Sequence, residues 1–100
     1  DIPTIIGSRT ISLYQLCDKP QQLRMQLECD QSLTEVDAYY AEQMLYNGWQ
    51  QVTVIRDSQE IMQVYKKPSK LCIIRVYSSI TSRISLFVSD VPAEHALSLH

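Results

Sequence analysis

The sequence predicts an α+β domain of order β-β-α-β-β-β-β, with one amphipathic helix packed on an antiparallel sheet. Three observations carry this expectation. Residues 23–29 alternate apolar and polar side chains with the period of two of a half-buried strand. One helical stretch is bracketed by a capping box beginning at Ser32 and a glycine stop at Gly48. Strand-like runs then follow, joined by links of about four residues, too short for a parallel crossover.

The first eight residues carry Ile2, Ile5 and Ile6, broken by Pro3 and Gly7, and read as an extended lead-in. Residues 9–16 have strand composition, with Ile11 and Leu13 on one face and Ser12 and Tyr14 on the other. Residues 17–22, with Asp18, Lys19 and Pro20, read as a turn. In the strand over 23–29, Leu23, Met25, Leu27 and Cys29 point one way, and Arg24, Gln26 and Glu28 the other. The two strands make a hairpin.

In Ser32-Leu33-Thr34-Glu35 the serine hydroxyl takes an orphan helix amide and the glutamate reaches back to the cap. Glu35 and Asp37 put negative charge at the positive end of the helix dipole. Leu33, Val36, Tyr40 and Met44 form the buried stripe, with Tyr39 beside it. Asn47-Gly48 supplies a left-handed stop, because glycine takes positive φ without a Cβ clash. Trp49 then folds back over the helix end. The remaining strands are expected over 49–56, 60–66, 71–77 and 82–89. Residues 71–74 are apolar on both faces, which marks a central strand. In the last strand Ile84, Leu86 and Val88 oppose Ser85 and Phe87. The domain is expected to span 1–90, with 91–100 a C-terminal tail broken from it at Pro92.

Composition narrows the function. With 100 residues, 45% hydrophobic and 20% charged, the chain has the make-up of one folded domain and not of a disordered segment. No apolar run reaches the ~20 residues of a membrane-crossing helix. Nine Lys+Arg against eleven Asp+Glu, a net −2, argue against a dedicated nucleic-acid binder. Cys17, Cys29 and Cys72 have no CxxC spacing. Cys29 and Cys72 read as small buried hydrophobes, and Cys17 as the exposed thiol.

No catalytic set is legible. The only histidines, His95 and His100, lie in the tail, where a pairing of His95 with Cys17 has little to hold it. Carboxylates and histidines show no metal-ligand spacing, and two glycines cannot build a phosphate loop. Neither metal nor cofactor is expected. The candidate binding residues are Tyr65, Lys66, Lys67, Lys70, Arg75 and Tyr77, around the Pro68-Ser69 turn, with Arg83 nearby. Cations interleaved with aromatics suit a single-stranded nucleic acid or an anionic surface. The plainer reading is a solvated hairpin whose lysines discourage edge pairing. Of six tyrosines, Tyr14, Tyr39, Tyr46, Tyr65 and Tyr77 are too many to bury completely, and exposed tyrosines suit protein contacts.

Val36, Tyr39, Tyr40, Met44, Gly48 and Trp49 form a V-x-x-Y-Y-x-x-x-M-x-x-x-G-W helix, followed by a strand carrying Tyr65-Lys66. This pattern resembles small bacterial envelope domains, lipoprotein-type or otherwise exported. The resemblance implies a location in the periplasm or cell envelope, an antiparallel sheet and a non-enzymatic role, and carries no catalytic residue across. The family's lipobox cysteine has no counterpart in these residues. The expectation is a non-catalytic domain acting through a protein partner, accessory to a larger assembly. The alternative is a nucleic-acid or anionic-surface module using the basic hairpin.

Overall fold

A computed structural model of the chain describes residues 2–5, 7–18, 21–78 and 81–91, the side chains of Cys17 and Asp18 apart. It has the expected order: β1 (Arg9–Asp18), β2 (Gln21–Cys29), α1 (Leu33–Tyr46), β3 (Gln50–Arg56), β4 (Glu60–Lys67), β5 (Lys70–Ser78) and β6 (Ser82–Asp90). All six strands form one antiparallel sheet in the order β1-β2-β6-β5-β4-β3. The path explains that order. The β1–β2 hairpin holds one edge, α1 carries the chain to the far edge, and β3 to β6 return as a meander. The meander closes when β6 pairs with β2, in a register that sets Met25 opposite Leu86.

Five strands run a residue or two wider than the sequence suggests, whereas β3 starts one residue later, at Gln50 and not Trp49. The expected turn over 17–22 shrinks, because β1 continues through Asp18 and β2 starts at Gln21. The cross-strand ladder recruits these polar residues once their neighbours are paired. Register shifts between Thr10 and Ser12 and between Gln15 and Cys17 also break the simple alternation expected for β1. The tail beyond Val91 lies outside the described residues.

The helix begins and ends as its sequence dictates. The Glu35 amide donates to the Ser32 hydroxyl at 3.2 Å, and the Ser32 amide donates to the Glu35 carboxylate at 3.2 Å. At the other end Gly48 takes φ +87°, and the Trp49 amide donates to the Met44 carbonyl at 3.0 Å. Val36, Tyr40 and Met44 are fully buried, and Trp49 closes the helix end at 2% exposure. Beneath them lie Leu27, Cys29, Tyr65, Cys72, Ile74, Val76, Ile84 and Leu86. Cys29 and Cys72 are buried, as expected, and carry free thiols.

One helix cannot roof this sheet. Six strands at ~4.8 Å spacing span roughly 24 Å, whereas a helix with its side chains is about 10 Å across. The helix accordingly packs on β3, β4 and β5. Ile2 and Ile5 of the lead-in join the core on the same side, where the Tyr39 hydroxyl donates to the Thr4 carbonyl at 3.1 Å. Among the described residues, no element lies over the opposite face.

Candidate binding face

Because side chains alternate along each strand, everything between the helix-facing positions points to that opposite face. The registers set out its rows. One runs Tyr14, Arg24, Phe87, Ile73, Val64 and Thr53; the next runs Ser12, Gln26, Ser85, Arg75, Met62 and Ile55. Arg9, Glu28, Arg83, Tyr77 and Glu60 make a third row. The middle of the face thus sets Phe87, Ile73, Val64 and Met62 among Arg24, Gln26, Ser85 and Arg75. A shallow concavity of about 420 Å³ is lined by Arg24, Gln26, Met62, Ile73, Arg75, Tyr77, Ser85 and Phe87. The apolar run in β5 marks an interior strand, as its sequence implies, but only one of that strand's two faces is covered.

Charge is concentrated here. Arg9, Arg24, Lys66, Arg75 and Arg83 share the face with two strand carboxylates among the described residues, Glu28 and Glu60, and at its rim Asp30 lies 3.6 Å from Arg9. The chain as a whole carries −2, so its acidic excess lies elsewhere. Both strand carboxylates are engaged. Glu28 receives Arg9 at 3.2 Å and lies 3.7 Å from Arg83; the Thr81 hydroxyl first, then Arg9, hold its carboxyl below the usual range. Glu60 accepts from Arg75 Nε at 2.9 Å, while the Arg75 guanidinium lies 5.3 Å from the Tyr77 ring centre. Among the described residues Arg24 has no carboxylate partner, although it stands between Tyr14 and Phe87 in the central row.

The six candidate residues fall on two sides. Lys66, Arg75 and Tyr77 reach the open face. Tyr65 is fully buried on the helix side, its hydroxyl donating to Gln63 Oε1 at 2.7 Å. Lys67 lies over the Trp49 ring, 4.8 Å from its centre, and Lys70 pairs with Asp90 at 2.8 Å. The hairpin is also interior to the sheet, so its lysines guard no edge. Strand periodicity separates neighbours in sequence, and the cross-strand register brings together residues far apart in it. Arg24, Met62, Ile73 and Phe87 do not stand out as candidates in the sequence. One signal for them is present there: apolar residues at the outward positions of several strands.

The described residues contain no group of three or more His, Cys, Asp or Glu able to hold a metal ion. Burial pushes the Cys72 thiol up to about 12, the opposite of a reactive thiolate. His95 and His100 lie outside the described residues, as does the Cys17 side chain. No helix among the described residues is long and apolar enough to cross a membrane. Compared with known protein families, curated proteins and solved structures, the chain matches none.

Proposed function

We propose that this is a non-catalytic binding domain whose open sheet face docks a protein partner. The observation that carries the reading is the row of Arg24, Phe87, Ile73 and Val64 at the centre of a face that nothing described covers. Apolar and aromatic side chains interleaved with Arg24 and Arg75 are the composition of a protein interface core, where aromatic and Arg anchors dominate binding. The excess of cations selects a partner with an acidic, apolar surface. The proposed location is the bacterial periplasm or cell envelope, on the strength of the helix pattern from Val36 to Trp49. Affinity recovery from an envelope extract tests this with the native chain beside Phe87→Lys and Arg24→Glu. A discrete partner retained by the native chain and lost by both variants is the expected outcome. Equal recovery by all three chains contradicts the reading.

A second reading has one observation in its favour: Arg24 lies between Tyr14 and Phe87, and Arg75 beside Tyr77, as base stacking with phosphate contact would require. Retention on single-stranded oligonucleotides at low salt, weakened in Arg24→Glu, supports it over protein docking.

A further inference from the structure

We propose that β1 is a self-association edge, at which two copies pair β1 with β1 antiparallel and join their six-stranded sheets into one. β1 is one of the two edges of the sheet. Of the eight large apolar residues exposed among those described, four fall within six positions of this strand: Ile11 at 48%, Leu13 at 60%, Tyr14 at 51% and Leu16 at 50%. Leu13 faces the helix side, opposite Met25, and Tyr14 the open side, opposite Arg24, so the edge is apolar above and below. Proteins normally protect an edge with lysine, proline or inward charge. Residues 10–17 contain none of these, and the register shifts at Thr10/Ser12 and Gln15/Cys17 leave Ser12–Gln15 as the regular stretch of edge.

The occupant is a second copy because the strand is compatible with itself. Its interior is uncharged, so self-pairing brings no like charges together. Stacking two open faces would instead oppose two surfaces that each keep an excess of cations, five against Glu28, Glu60 and the rim Asp30. Antiparallel edge pairing requires a twofold axis perpendicular to the sheet, which keeps both helices on one side and both open faces on the other. Directly opposed residues must then share a face, so the axis passes beside a residue paired with its own copy; Leu13 or Tyr14 centres the overlap on the exposed apolar run. The four exposed side chains offer on the order of 400 Å² per copy, about half the share of a standard interface. The dimer is therefore weak and concentration-dependent. It extends the open face without covering it, and does not depend on what that face binds.

Sedimentation from about 5 to about 500 µM, the range of a small interface, tests the proposal on the full chain. The native protein is expected to shift from 11.5 kDa toward twice that mass. Leu13→Lys and Tyr14→Lys each set two like charges near the axis and are expected to remain monomeric. Tyr46→Lys, on the exposed helix surface, is expected to dimerise like the native chain. Far-UV circular dichroism confirms that each variant is folded, and native-chain hydrogen exchange gives a readout independent of substitution, with β1 amides slowing as concentration rises. A monomer throughout, a dimer that survives both β1 lysines, or slowing confined to other strands overturns the proposal. So does a dimer lost on removing residues 92–100 but kept in Leu13→Lys.

Discussion

The Gln63 side chain ties the sheet to the helix by donating its amide to the Asp37 backbone carbonyl at 3.1 Å and to the Asp37 carboxylate. Gln63 is fully buried, and its carbonyl accepts from the Tyr65 hydroxyl, so neither end of the amide is unpaired. Asp37 also receives Arg56 Nε at 2.9 Å, which fastens β3 to the same point. Removing the amide takes hydrogen bonds from two partners at once, Asp37, which keeps Arg56, and the Tyr65 hydroxyl. Gln63→Leu is expected to cost about 2 kcal/mol in chemical denaturation. In a Tyr65→Phe background the cost is expected to shrink, because one of the two lost interactions is already gone.

The helix ends make a separate prediction. Ser32→Ala removes the cap of the Glu35 amide and is expected to cost about 1 kcal/mol. Gly48→Ala meets no crowding, its nearest neighbour being Lys67 Cε at 3.9 Å, but forces a side chain to φ +87°. That strain is expected to cost roughly 1–2 kcal/mol. The two substitutions lie at opposite ends of a 14-residue helix, so their effects on the denaturation midpoint should add.

Alkali should destabilise the fold. Burial raises the Cys72 thiol from 9.0 to about 12, and also raises the Tyr40 and Tyr65 hydroxyls. Above pH 9 the unfolded chain releases the thiol proton while the native chain retains it. The stability this group contributes is thus complete below pH 9 and falls as pH rises toward 12. Denaturation midpoints measured from pH 8 upward are expected to fall, and Cys72→Ala should flatten the slope while lowering the starting value. The same burial predicts that Cys72 resists alkylation at pH 8 until the chain unfolds.

Much of the fold is legible in the residues, because its determinants are local. The Ser32–Glu35 box, the Gly48 stop and the alternation from Leu23 to Cys29 each need only near neighbours, and each is found where expected. The strand order is not local. Nothing near Ile84 announces that it pairs with Leu27, more than fifty residues away, and on that pairing the interior position of β6 rests. The proposed binding face suffers from the same non-locality. Tyr65, Lys66 and Lys67 look like one patch in sequence, yet the strand period sends Lys66 one way and its neighbours the other. Arg24 and Phe87 are neighbours only across the sheet.

Substitutions on the open face should separate binding from folding. Arg24 is exposed and has no carboxylate partner among the described residues, so Arg24→Glu is expected to change stability by less than about 0.5 kcal/mol. Arg75→Ala removes a guanidinium bonded to Glu60 and lying against Tyr77, and is expected to cost up to about 1 kcal/mol. Thermal melts of the two variants beside the native chain check both values.

Photo-crosslinking in cells that make the native chain tests the central claim most directly, using a photoreactive residue at Phe87 and, as control, at Tyr46 on the exposed helix surface. The open-face account predicts a discrete protein adduct from position 87 that is absent from position 46. Equal labelling from both positions, or adducts from position 46 alone, would contradict it.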